Sequence, residues 1–343
     1  MERDDIIIRN AVVHILDSYV GMPVLSDALL ELSPDLNDFL RDHIYRIASG
    51  DDLKKCSFQT GESAVYQMLA DFNEENLLPV SRQIAEYLYS IMNSNIEIPA
   101  ADLLIVTYQA LGERYLALLK MNYKEFYVHY TLPANQDDPD GISGNCNDII
   151  KQTAALPASS SKLSEAALIN LSDYAVALIE KKYDVNGVKT NYFSQMFLQC
   201  QTSLSSKAKL DIVTKAVNQI HQKYYEDDFD KKMEAKSIIH SDIEEQGAIE
   251  IETIGERLFG TEPEIKEEFT EKLEKYNLVK EEVKPQNKQT TKKFEKQFLV
   301  TDTGIEINIP MEQYNNKQNL EFITNPDGTI SVLIKNINRL TAK

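Results

Sequence analysis

Residues 103–130, LLIVTYQALGERYLALLKMNYKEFYVHY, constrain the fold more than any other stretch of this chain. Two apolar runs meet at Gly112-Glu113, a strand-like pattern with a turn residue in the middle. Such a pattern reads as an antiparallel hairpin rather than one long helix. Its tyrosines and Phe126 fit cross-strand and core packing better than a base-stacking platform. Two more turns point to the same architecture. Asn186-Gly187, between LIEKKYDV and VKTNYF, has the chemistry of a two-residue hairpin loop. Asn325-Pro326-Asp327-Gly328 is a turn in which Pro326 pre-sets φ and Gly328 accepts φ > 0. After it, Ile330, Val332 and Ile334 recur at period two, as Ile305, Ile307 and Ile309 do in GIEINIP.

Helical signals are interleaved with these strands. The opening DDIIIRNAVVHILD reads as a strand, and LSPDLNDFLRDHIYRI as a helix with Ser33 as N-cap and Pro34 at its first position. ESAVYQMLADF and SRQIAEYLYSIM predict two more helices, the second capped by Ser81. In SKAKLDIVTKAVNQIHQKYYEDDF, Leu210, Val213, Val217, Ile220 and Tyr224 share a face. A further helix starts at Thr261, with Pro263 in its first turn and Ile265, Phe269, Leu273 and Tyr276 inward. Glu268–Lys272 and Glu271–Lys275 pairs occupy its outer side. The fold class is therefore α+β, mixed helices and antiparallel strands with a C-terminal β-hairpin.

At 343 residues the chain is long enough for two or three domains. The expected division is an N-terminal α/β domain at 1–133, an acidic and polar loop or junction at 134–162, a central mixed domain at 163–245, and a C-terminal helix, basic linker and hairpin at 246–343. Asp137, Asp138 and Asp140 in the junction lack EF-hand spacing and read as a solvated turn. No run approaches the roughly 20 apolar residues of a membrane span, and the start lacks the order of a signal peptide. Cys56, Cys146 and Cys200 are expected as free thiols of a reducing cytoplasm.

Chemistry-bearing motifs are scarce. Glu180-x-Lys182 has the shape of half a metal-dependent nuclease site, with Asp173 or Asp148 as the missing acid, but surface charge on a strand accounts for it better. The five histidines show no metal-ligand spacing, and no P-loop, GxGxxG or GxSxG occurs. The expectation is no catalytic residue, no metal and no cofactor. The net charge of −18 opposes generic nucleic-acid binding, which needs cations against phosphates. The balance is locally reversed, because Lys284, Lys288, Lys292, Lys293 and Lys296 face only Glu295 between residues 283 and 298. With Lys207 and Lys209 at a helix start, where positive charge opposes the dipole, these are the candidate DNA-binding residues. Arg339 is a weaker one.

The order of pieces carries a resemblance. AVVHILD leads to PVLSDALLEL, NYFSQMFLQCQTSLSSKAKLDIV occupies the centre, and GIEINIPMEQYNNKQNLEFITNPDGTISVLIKNINRL ends the chain. Over about residues 6–340 this is similar to the bacterial nucleoid-associated protein family of the NdpA/YejK type. The resemblance implies a cytoplasmic protein at the bacterial nucleoid, without catalytic residues to carry over. Two functions fit it. One is non-specific contact with double-stranded DNA through the lysines, as a homo-oligomer, without a membrane. The other is an acidic adaptor held by a basic or DNA-bound protein, with Glu226, Asp227, Asp228, Asp230, Glu244 and Glu245 as its face. The terminal hairpin closes the molecule's own core or pairs its edge with a second protomer.

Overall fold

A computed structural model describes residues 1–18, 21–132, 146–225, 229–339 and 341. Asp137, Asp138, Asp140 and the acids Glu226–Asp228 lie outside the described residues, as do the side chains of Phe229 and Asp230. Contacts divide the chain into two compact units, Met1–Leu204 and Ser205–Lys343.

The N-terminal unit runs β1 Ile7–Leu16, α1 Pro34–Ala48, β2 Lys54–Phe58, α2 Ala64–Leu69, α3 Leu77–Asn93, β3 Ala101–Ala110, β4 Glu113–Asn122, β5 Lys124–Leu132, β6 Cys146–Ala155, β7 Glu165–Asn170, β8 Val176–Ile179, β9 Tyr183–Val185, β10 Val188–Thr190 and β11 Cys200–Thr202. Seven of these strands form one sheet in the order β1-β3-β4-β7-β8-β2-β11, with antiparallel neighbours throughout. It draws strands from both sides of residues 134–162, and β6 lies inside that stretch, which composition alone presented as loop or junction.

Both faces of the sheet are covered, which explains the unbroken apolar runs of β3 and β4. Leu103, Ile105, Leu116 and Leu118 point to one side and pack with Ile84 and Leu88 of α3 and Val65 of α2. Leu104, Val106, Ala117 and Leu119 point to the other and pack with Leu40, Ile44 and Ile47 of α1. The β3–β4 turn places Leu111 at φ 51° and Gly112 at φ 85°, and the β9–β10 turn places Asn186 at 54° and Gly187 at 83°. Two consecutive left-handed residues are what a two-residue hairpin loop demands. Ser33 caps α1, accepting from Leu36 N at 3.3 Å.

Three local expectations are corrected. Ser81 does not cap a helix, because α3 starts four residues earlier at Leu77. Ser81 is buried instead, and its Oγ donates to Leu78 O at 2.9 Å and meets His14 Nε2 at 3.0 Å. Cys56 and Cys200 are joined by a disulfide. The 144 residues between them hide a pairing that exists because β2 and β11 are sheet neighbours. Phe126, Tyr127 and Tyr130 are exposed rather than core, since β5 leaves the large sheet and pairs with β6 alone.

The C-terminal unit runs α4 Ser206–Tyr224, α5 Phe229–Gln246, β12 Ile249–Glu250, α6 Ile251–Phe259, α7 Pro263–Glu274, β13 Glu282–Val283, α8 Lys288–Glu295, β14 Lys296–Val300, β15 Glu306–Pro310, α9 Met311–Tyr314, β16 Leu320–Thr324 and β17 Ile330–Ile334. Leu210, Val213, Val217 and Ile220 of α4 are buried with Phe259 of α6 and Phe269 and Leu273 of α7. Tyr224 and Tyr276 are not, at 42% and 52% exposure. Tyr224 reaches outward to donate to Glu268 Oε2 at 2.7 Å, and Tyr276 lies beyond the end of α7. The terminal hairpin β16–β17 forms as expected, yet Ile330, Leu333 and Ile334 stay exposed, so it does not close the core with those side chains.

Candidate nucleic-acid interface

The lysine-rich stretch that reads as linker is ordered secondary structure. Asn287 Oδ1 accepts from Gln289 N at 2.9 Å and starts α8, Phe294 is buried at its far end, and α8 packs on α5. One aromatic anchor and one cap define helix α8 within this stretch. Lys288 and Lys292 lie one turn apart on α8 and are exposed, as are Lys293 and Lys296.

Ion pairs connect these lysines with those of α4. Lys293 Nζ reaches Asp211 Oδ1 on α4 at 2.6 Å. Lys209 Nζ, two residues before that aspartate, reaches Glu281 Oε2 at 2.7 Å, and Lys284 Nζ reaches Glu282 Oε2 at 2.7 Å. Lys207 is exposed in the first turn of α4, whose N-cap is Ser205. Residues 72 and 82 positions apart in sequence thus converge around the start of α4. Lys296 begins β14, where its carbonyl accepts from Lys236 Nζ at 2.8 Å. Asp211, Glu281 and Glu282 are the members sequence reading missed; only their folded position sets them against the lysines. Exposed pairs of this kind contribute about 0–1 kcal/mol each, so a phosphate can replace the carboxylate at small cost.

The helix–turn–helix order of α6 and α7 offers no comparable surface. The exposed stripe of α7 is Glu264, Glu267, Glu271 and Glu274, which repels phosphate. Glu268 pairs with Lys223 at 2.7 Å and Lys272 at 3.4 Å, and hydrogen bonds to them and to Tyr224 hold its carboxyl down at about 2.

The Glu180-x-Lys182 motif resolves differently. Strand alternation sets Lys120 of β4, Glu165 of β7, Glu180 just after β8 and Lys54 of β2 on the α3-facing side, at one end of the sheet. Glu180 is fully buried, accepting from Lys54 Nζ at 2.9 Å and from Ser194 N and Oγ at 3.0 Å each. Lys182 is exposed, and Asp173 serves a turn by accepting from Ala175 N at 2.9 Å. Lys120 and Glu165 face each other across the ladder at 3.5 Å, both fully buried, with Asn122 Nδ2 donating to Glu165 at 3.0 Å. Burial pushes the Lys120 ammonium down to about 8 against the pull of Glu165. Every charge in this row is spent on a neighbour, which is what structural ions inside a sheet require.

The chain therefore combines a double-covered antiparallel sheet with a helical unit that carries its lysines on the surface. The family described as nucleoid-associated protein YejK matches residues 12–341 of the 343. The chain belongs to that family, which supports a nucleoid-associated role. No curated protein matches it in sequence.

Proposed function

We propose that this protein is a non-enzymatic, cytoplasmic nucleoid protein that contacts double-stranded DNA without sequence preference, as a dimer, through the C-terminal lysines. The carrying observation is the convergence of α4, the β13 segment and α8, where Lys209 pairs with Glu281, Lys284 with Glu282 and Lys293 with Asp211, while Lys207, Lys288, Lys292 and Lys296 are exposed. That leaves an excess of positive charge on a chain of net −18. Such contacts read the backbone and position the protein on it. Burial of Glu180 against Lys54 and Ser194 supports the non-enzymatic part of the reading.

A second reading has its own observation: the four exposed glutamates of α7 suit a basic, DNA-bound protein, and through it the chain would be an adaptor without DNA contact. Anisotropy of a fluorescent duplex over about 20–200 mM salt separates the two. Wild type binds at low salt, and changing Lys284, Lys288, Lys292, Lys293 and Lys296 to Gln flattens the log–log salt slope by up to about 4.5. Binding unchanged by these substitutions moves the contact to Lys207 and Lys209. Absence of binding at the lowest salt leaves the adaptor.

A further inference from the structure

The β5–β6 ribbon stands apart from every other strand of the N-terminal unit. Among the described residues its two strands pair only with each other, and nearly every residue from 124 to 131 and 147 to 154 is solvent-exposed. A lone two-stranded ribbon is marginally stable in water at best. This one is also amphipathic. The register pairs Phe126 with Gln152, Val128 with Ile150 and Tyr130 with Asp148, so Phe126, Val128, Tyr130 and Ile150 form one stripe on one face, with Gln152 and Asp148 at its edge. They are 45%, 37%, 48% and 40% exposed. The opposite face is mixed: Tyr127 and Ile149 sit there among His129, Thr131 and Lys151, and Lys151 pairs with Glu125 at 2.8 Å.

We propose that the apolar face of this ribbon is a homodimer seam, covered by the same face of a second copy of the chain. The inference rests on the dimer in the proposed function and not on DNA contact. Charge selects the occupant. Between 124 and 132 and between 147 and 155, Lys124 and Lys151 balance Glu125 and Asp148, so the ribbon is neutral on a protein of −18. Two strongly acidic copies meet with least repulsion at a neutral patch. DNA is disfavoured, because a neutral ribbon offers phosphate no excess of cations. A strongly basic partner would take an acidic face instead.

Geometry sets the strength. Nine residues at about 3.3 Å each and two strands about 4.8 Å apart give a face on the order of 30 by 10 Å. Two such faces stack about 10 Å apart with interdigitating side chains, related by a two-fold axis that makes the stripe its own complement. At about 300 Å² per copy the face is small against the roughly 800 Å² per partner of a standard interface, so the dimer is weak and dissociates on dilution.

Sedimentation equilibrium of the full chain without DNA, over a range of concentrations, tests this. Wild type is expected to shift from monomer to dimer as concentration rises. Ile150→Asp, on the stripe, weakens the dimer at least about tenfold. Ile149→Asp makes the same change one residue away on the other face and leaves dimerisation within about twofold of wild type. Both changes fall on an exposed strand, and circular dichroism confirms that both variants keep the wild-type fold. A wild type that stays monomeric, a dimer insensitive to Ile150→Asp, or equal loss in both variants overturns the proposal. Because no DNA is present, these outcomes are independent of the anisotropy experiment.

Discussion

The two units use charge in opposite ways. In the N-terminal unit the side chains of Lys120, Glu165 and Glu180 are sealed inside the sheet, and each charge has an opposite charge beside it. In the C-terminal unit Lys284 and Lys293 are 63% and 41% exposed and lean on carboxylates that water also reaches. A buried ion has given up its hydration and depends on its partner; an exposed one keeps most of its hydration and can change partners. The first arrangement specifies a fold, and the second remains open to a ligand.

The sharpest contrast comes from deleting one acid in each unit. Glu165→Ala leaves the Lys120 ammonium buried without its counter-ion and is expected to cost about 3–5 kcal/mol. Glu282→Ala, which frees exposed Lys284, changes stability by less than about 0.5 kcal/mol. Urea denaturation of both variants checks this. A cost below about 1 kcal/mol for Glu165→Ala would erase the distinction between the units.

Acid acts next. His14 is fully buried, its Nδ1 accepts from Ser26 N at 3.1 Å, and its Nε2–H therefore donates to Ser81 Oγ at 3.0 Å. This is a complete set of bonds for the neutral ring, and burial, with Arg82 nearby, pushes its pKa from 6.5 down to about 4. The unfolded chain thus binds a proton that the folded one refuses between about pH 6.5 and 4. Stability is fully present above about 6.5 and falls as pH drops toward 4, by about 3 kcal/mol in total. Denaturant unfolding at pH 7 and pH 4.5 should show this loss in wild type, and His14→Gln should remove most of it. Glu268 in the C-terminal unit has its carboxyl held at about 2, so its contribution persists above about 4.5 and fades only toward 2.

How much of this was legible in the sequence follows the same division. The hairpins read at Gly112-Glu113, Asn186-Gly187 and 325–328 all form, the first with its turn one residue earlier, at Leu111-Gly112. So do the helices whose apolar period is unbroken. Features made by distant residues were not legible. Cys56 and Cys200 meet only through sheet order, and Ser81 has the composition of a cap but is recruited by His14 67 positions earlier. The Lys284–Lys296 segment has the composition of a linker, and buried Phe294, the Lys293–Asp211 pair and the Lys236 bond to the Lys296 carbonyl tie it down. The lysines themselves were visible. Their acids were not, since Asp211 and Lys293 are separated by 82 residues.

The smallest effect tests the openness of the second unit most directly. Asp211→Asn removes the carboxylate that Lys293 touches at 2.6 Å while keeping shape and one acceptor oxygen. The pair contributes at most about 1 kcal/mol, so stability should stay within about 0.5 kcal/mol of wild type. Duplex affinity should rise, because a phosphate no longer competes with Asp211 for the ammonium and one negative charge has left the surface. The gain is bounded by the pair's own strength, about two- to fivefold at low salt, and it shrinks as salt screens both interactions. Asp102→Asn is the matched change in the other unit, where Asp102 accepts from Tyr123 OH at 2.7 Å and burial raises its pKa. It should leave duplex affinity unchanged. Equal gains from both substitutions would mean that DNA responds to total charge alone, and the lysines around α4 would then hold no privileged place.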